Sequence, residues 1–172
     1  MRHYGLIAAI GLAAAVPANA EVSVGEHGFS VRHERTVAAS PAAVWDALIH
    51  PERWWSPEHS WSGDAANFSL DPRPGGCFCE AMPNSGGTEH MRVVMVQPER
   101  LLRLRGELGP MQSEAVVGSL TWTLEPVAGG TRIVHDYAIG GHWRMPVADI
   151  AGAVDSVQKI QIDRLAALFA PR

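Results

Sequence analysis

Cysteine is scarce in this 172-residue chain. Two residues, Cys77 and Cys79, exclude a disulfide-dense scaffold and a four-cysteine zinc site. Lysine is scarcer: Lys159 stands alone among 14 basic residues, and no basic tail offsets the formal charge of −4. A nucleic-acid binder that relies on phosphate contacts is thereby excluded. The motifs of several large enzyme classes are also missing. There is no GxSxG elbow, no HExxH, no phosphate-binding glycine loop before a helix and no EF-hand loop. Low charge (19%) beside a 47% apolar content leaves enough core-forming surface to exclude wholesale disorder. The length suits one compact domain.

Long apolar runs are limited to the start. Met1-Arg2-His3 is followed by an uncharged stretch over residues 5–16, then Pro17 and the small residues Ala18-Asn19-Ala20. This order predicts a secretory signal peptide over 1–20, cut after Ala20, and a periplasmic or secreted protein. A dozen residues span roughly 18 Å as a helix, short of the roughly 30 Å hydrocarbon core, which disfavours an uncleaved anchor. No later segment is apolar enough to cross a membrane, so no integral membrane segment is expected after cleavage. Residues 21–28 read as a flexible N-terminus, and 29–172 as one domain.

Within that domain, residues 29–39 alternate, with Phe29, Val31, His33, Arg35 and Val37 on one face, and predict a strand. Ser40-Pro41 opens a short helix over 41–49, and a second short helical turn covers 52–55. Residues 56–66 read as a loop. Strands follow over 67–71, 77–82, 89–97, 100–108, 118–125 and 131–139, divided by Gly, Pro and Asn turn signals. Such short links favour antiparallel pairing. Residues 146–170 then recur apolar at three- and four-residue steps, an amphipathic helix about 37 Å long. The expected fold is α+β: a curved antiparallel sheet of about seven strands wrapped around a long C-terminal helix.

Three local cues carry a resemblance: Ala39-Ser40-Pro41-Ala42-Ala43-Val44-Trp45-Asp46-Ala47-Leu48, then Pro51-Glu52-Arg53-Trp54-Trp55, then Arg73-Pro74-Gly75-Gly76-Cys77-Phe78. In their order and spacing they resemble the START/SRPBCC superfamily, which has the helix-grip fold and includes a polyketide cyclase/dehydrase and lipid-transport group. The resemblance implies a hydrophobic small molecule held between sheet and helix. It supplies no catalytic signature, and Cys77-Phe78-Cys79-Glu80 departs from commoner members. Fold alone does not assign a function.

The chemistry-bearing residues are few. Trp54, Trp55 and Trp61 either cap the core or line an opening, while Trp122 belongs at a strand centre and Trp143 near the chain end. His135 and Tyr137 share a parity with Ile133 and Ile139 and should face inward. They form either a buried hydrogen-bonded pair or a polar pair at a cavity wall, with acid–base work open to them. His33 and Arg35 share an inward face, and an inward arginine needs an acid. His90 and Arg92 pose the same question. Cys77 and Cys79, two residues apart on a strand, sit about 6.6 Å apart at Cα, the outer limit for a bridge. Two buried thiols are the preferred reading unless a bulge intervenes, and a soft-metal site with His90 or His135 is the alternative.

The expected ligand-binding set is therefore Trp54, Trp55, Trp61, Cys79, His90, Trp122, His135, Tyr137 and Trp143, with His135 and Tyr137 as catalytic candidates. No cofactor and no metal are expected. The favoured function is binding or carriage of a hydrophobic or amphipathic small molecule or lipid, by a monomer or weak homodimer. The rival is a cyclase/dehydratase-type enzyme using a cavity His and Tyr as acid and base.

Overall fold

The computed structural model describes residues 20–171, so the expected signal peptide lies, but for Ala20, outside the described residues. In chain order the elements are β1 (Ala20–Val24), β2 (Gly28–Val37), α1 (Pro41–Leu48), β3 (Phe68–Leu70) and β4 (Cys77–Met82). Then come β5 (Gly86–Gln97), β6 (Leu101–Gly106), β7 (Ala115–Val127), β8 (Gly130–His142) and α2 (Val147–Ala167). Short 3₁₀ turns occupy Pro51–Arg53, Pro57–His59, Ala65–Asn67 and Gly109–Ser113.

One antiparallel sheet takes the order β1-β2-β8-β7-β6-β5-β4-β3. After α1 the chain crosses to the far edge and meanders back until β8 lies beside β2. The sheet has eight strands where about seven were expected. The extra one is β1, which pairs with β2 through Val22 opposite Val31. Residues 21–28, read from their polarity as flexible, thus form an edge strand over much of their length. The Gly25 N–H donates to the Gly28 carbonyl (2.8 Å) and turns the chain back.

The inner faces follow the alternation of the sequence. Phe29, Val31, His33 and Val37 of β2 are buried, as are Ile133, His135, Tyr137 and Ile139 of β8. Arg35 shares that parity and donates through Nε to Asp163 of α2 (2.6 Å), supplying the acid that an inward guanidinium requires. Ser40 caps α1 by accepting from the Ala43 N–H (3.3 Å), with Pro41 at the first helical position.

Helix α2 lies mainly on β2 and, to a lesser extent, on β1. Its buried stripe is Ala151, Val154, Gln158, Gln161, Ile162 and Leu165. Two polar ties fix it to the loop that follows α1. Gln161 Oε1 accepts from the Ser56 N–H (2.9 Å), and Arg164 Nε donates to the Trp54 carbonyl (2.8 Å). Trp54 packs edge-on against Trp122, and Trp55 against Phe78, closing the core beneath that loop. Among the described residues no helix is long and apolar enough to cross a membrane.

Candidate functional site

The sheet and α2 do not close on each other everywhere. Between the first half of α2, the loop over 57–61 and the segment over 108–114 is a cavity of about 410 Å³. Apolar side chains dominate its wall: Trp55, Trp61, Leu108, Met111, Met145, Ile150, Val154 and Val157. The polar groups are His59, Ser60, His90 and Gln158, with Glu58 and Glu114. This mix of apolar walls and a few convergent polar groups is the usual profile of a small-ligand site.

Each wall is fixed by bonds local to it. In the loop, Trp55 Nε1–H donates to the His59 carbonyl (2.9 Å) and Ser60 Oγ to the Pro57 carbonyl (2.8 Å). The opposite segment is tied to β5 by Gln112 Nε2, which donates to the Glu89 carbonyl (2.8 Å). Arg144 holds Glu114 and also donates to the Ser113 carbonyl.

His90 reaches the cavity wall through an irregularity between β4 and β5. Phe78 pairs with Met91 but Cys79 pairs with Glu89, so His90 is an extra residue in β5. The bulge turns both His90 and Met91 to the core side and leaves Arg92 outside, where it pairs with Glu89. His90, 4% exposed, meets Glu80 with Nε2 and Oε2 2.9 Å apart. Glu80, 1% exposed, also accepts the N–H groups of Trp61 (3.2 Å) and Ser62. Burial works to raise Glu80, but hydrogen bonds from Ser62, His90 and Trp61 outweigh it and hold the carboxyl below its usual range. For His90, burial outweighs the attraction of Glu80 and holds the imidazole below its ordinary value. The pair is therefore a carboxylate and a neutral ring. Nε2 carries the proton that Glu80 accepts, which leaves Nδ1 as a lone pair, and Nδ1 has no partner among the described residues.

Of the residues expected to bind ligand, the structure brings Trp55, Trp61 and His90 to this cavity. Trp54, Trp122, His135 and Tyr137 are buried in the core and are not among the lining residues. Trp143 packs on Phe29, donates to the His27 carbonyl (3.1 Å) and is not among the lining residues. The two catalytic candidates sit in closed surroundings. Burial, with His33 second, pushes His135 down to about 3, and burial pushes Tyr137 up. The Tyr137 hydroxyl and both His135 ring nitrogens have no partner among the described residues. Tyr137 also explains Gly118, because a Cβ there would stand 2.6 Å from the phenol ring.

The cysteines correct the expectation of two free thiols. Cys77 and Cys79 form a disulfide, with Cα atoms 5.4 Å apart rather than the 6.6 Å of a regular strand. The bridge spans the point between Phe78 and Cys79 where the β4–β5 register shifts, so β4 is not a regular strand there. Their sulfurs lie on the outer face, since Phe78 and Glu80 take the inner one. The bridge removes the thiolates that a soft-metal site with His90 or His135 would use, and takes Cys79 away from the cavity. No group of three metal-ligating side chains occurs among the described residues.

Glu80 was missed from sequence, although it shares strand parity with Phe78, and an acid on an inner face needs a partner. The segments over 57–60 and 108–114 were missed because loop residues carry no period to read.

An open antiparallel sheet gripping a long C-terminal helix, with a cavity between them, defines the helix-grip class of the SRPBCC superfamily. Residues 28–170 match the family described as polyketide cyclase / dehydrase and lipid transport, and the chain belongs to that family. Among solved structures, an uncharacterised protein from Rhizobium leguminosarum is similar at 20% identity and TM-score 0.62, over 90% of this chain and 98% of that one. Protein Ms6760 from Mycobacterium smegmatis is similar at 17% identity and TM-score 0.59, over 91% and 99%. CalU16 from Micromonospora echinospora is similar at 15% identity and TM-score 0.57, over 92% and 88%. These likenesses concern the fold. No curated protein matches the chain.

Proposed function

We propose that this protein binds a hydrophobic or amphipathic small molecule in the cavity between the sheet and α2. The observation that carries this reading is the cavity itself: about 410 Å³, walled by Trp55, Leu108, Met111, Ile150, Val154 and Val157, with a few polar groups among them. Apolar surface removed from water contributes about 25 cal/mol per Å², so a ring system filling such a space binds without many polar contacts. Membership of a family described by cyclisation, dehydration and lipid transport supports the same reading.

The test uses a neutral fluorescent probe, N-phenyl-1-naphthylamine, titrated into the purified chain. Saturable binding is expected. Ala153 is exposed on α2 and lines the cavity, so Ala153→Trp should fill it and weaken binding at least tenfold, with stability changed by no more than about 0.5 kcal/mol. An unchanged probe affinity in that variant would overturn the assignment.

A second reading, acid–base catalysis of the cyclase or dehydratase kind, is favoured by one observation. His90 lines the cavity with the carboxylate of Glu80 bonded to its ring, a histidine–acid pair of the kind that moves protons. This moves the acid–base role away from His135 and Tyr137. His90→Gln should then abolish turnover of a substrate while leaving its binding within about tenfold.

Export is also part of the proposal. A Cys77–Cys79 bridge suits an oxidising compartment, and cleavage after Ala20 leaves Glu21–Val24 of β1 in place. Intact-mass measurement on protein from its own host should give a chain that starts at Glu21. A retained 1–20 segment would count against export by this route.

A further inference from the structure

The charges around the cavity narrow the ligand further. Apart from Trp55 and His90, its wall comes from residues 57–61, 108–114 and 145–158. Those three segments contain four acids, Glu58, Glu114, Asp149 and Asp155, and neither lysine nor arginine. The bases that flank them are committed elsewhere: Arg144 to Glu114 and the Ser113 carbonyl, and Lys159 to Asp163 (2.6 Å). Asp155 lies 2.9 Å from His33 Nε2. Asp149 occupies the first turn of α2, where it offsets the pull of the helix N-terminus on an anion. Glu58 differs from these. It lines the cavity, is exposed, and its carboxylate has no ion pair or hydrogen bond among the described residues.

The wall residues also divide by exposure. Trp55, Leu108, Met111 and Val154 are buried and form the depth of the cavity. Trp61 is 50% exposed and Met145 46%, and with Glu58 they belong to its rim. The rim is held in place before any ligand arrives: the Trp61 N–H donates to the buried Glu80 (3.2 Å), and Ser60 Oγ donates to the Pro57 carbonyl (2.8 Å). A free carboxylate three residues from a half-exposed indole offers a cation both a counter-charge and the negative face of a ring. An anion at the rim would meet Glu58 with no base to answer it, and a neutral head gains from neither feature. A cation held there keeps part of its hydration, so it avoids the cost of carrying a charge into the apolar depth.

On the reading that this cavity binds a small molecule, we infer that its ligand is a cationic amphiphile, an apolar body carrying an ammonium group, with the head at the rim beside Glu58 and Trp61. The aromatic, methionine and aliphatic depth accepts the body and supplies most of the affinity. Glu58 and Trp61 choose the sign of the head. An exposed ion pair is weak by itself, and a cation over an exposed ring gains a similar amount, so the two together give about a fivefold preference for the cation at low salt. The acids of the surrounding segments add a negative field that draws cations to the mouth and weakens as salt is added.

Three probes with one apolar body test this: biphenyl-4-ylmethylamine, which is an ammonium at neutral pH, biphenyl-4-ylmethanol and biphenyl-4-carboxylate. Each is titrated into the full mature chain by calorimetry at neutral pH and low salt. The ammonium is expected to bind about fivefold more tightly than the alcohol, and the carboxylate most weakly. Glu58→Gln should erase the advantage of ammonium over alcohol and leave the alcohol unchanged, and Glu58→Lys should reverse the order so that the carboxylate leads the ammonium. Glu58 is exposed, so neither change disturbs the fold. Ala153→Trp should weaken ammonium and alcohol together. Raising NaCl from about 20 mM to about 500 mM should shrink the ratio of ammonium to alcohol while the alcohol holds its affinity. Equal binding of ammonium and alcohol in the wild type overturns the inference while cavity binding survives, and so does a preference for the carboxylate. An ammonium advantage that outlasts Glu58→Gln overturns the placement of the head. Binding of none of the three overturns the inference and the cavity reading alike.

Discussion

Two buried histidine sites lie in the same sheet and differ in almost every other respect. His33 and His135 face each other across β2 and β8 as register partners, with ring centroids 6.3 Å apart beneath α2. His90 sits on the bulge of β5 with a buried carboxylate bonded to it and a cavity beside it. In the first site, Asp155 comes to 2.9 Å from His33 Nε2 without the alignment of a hydrogen bond, and Trp122 meets His135 edge-on. Burial dominates there and both rings are held below their ordinary pKa. In the second site the ring is also held below its ordinary pKa, but one nitrogen meets a buried carboxylate and the ring borders a cavity. Burial of the imidazole therefore does not distinguish the two sites; the bulge that re-aims His90, the carboxylate bonded to it and the adjoining cavity do.

The largest expected effect breaks the second site from behind. Glu80→Ala would leave His90 and two backbone N–H groups without their acceptor, and should cost about 3–5 kcal/mol in urea unfolding. The matching change in the first site, Asp155→Ala, removes a partly exposed acid that is not well aligned, and should cost less than about 1 kcal/mol. If the two losses come out equal, the distinction between a built pair and a mere neighbour is wrong.

Acid sharpens the contrast next. All three rings have folded values below the unfolded one near 6.5, so below that pH the unfolded chain binds more protons. Stability should therefore fall as pH drops from about 6.5, and for His135 the fall continues to about 3. One group contributes about 1.4 kcal/mol per pH unit within its window. His135→Leu should reduce the slope of stability against pH between 6 and 4 by about one proton. A slope unchanged in that variant would mean that His135 is protonated in the folded protein.

The same contrast explains what was legible beforehand. Strand parity gave the inner faces of β2 and β8, because period-two alternation and burial are the same physical fact in a regular strand. It placed His33, Arg35, His135 and Tyr137 inward, and required an acid for Arg35, which Asp163 supplies. Parity then treated His90 and Arg92 alike, and the bulge makes them opposites. One inserted residue reverses every later assignment along a strand, and nothing local in Glu89-His90-Met91 announces it. Of the expected ligand-binding residues only Trp55, Trp61 and His90 reach the site; its other walls come from the first half of α2, whose apolar stripe was legible, and from turns whose positions depend on distant partners such as Gln161 and Glu80. The edge strand β1 was lost for a related reason: its pairing is supplied by β2, not by its own composition.

The smallest effect concerns the bridge behind the second site. Cys77 and Cys79 enclose a single residue, Phe78, whose ring packs on Trp55, Phe68 and His90. So short a loop removes little entropy from the unfolded chain, and Cys77→Ser with Cys79→Ser should lower stability by only about 1.5 kcal/mol. Its reach should be local, because the bridge spans the point where the β4–β5 register shifts and adjoins Glu80. Hydrogen exchange in the double variant should quicken along β4, β5 and the backbone N–H groups of Trp61 and Ser62, while β2 and β8 keep their protection and the acid slope stays as in the wild type. Faster exchange at His33 and His135 would show that the two sites are one mechanical unit, and the contrast drawn between them would then fail.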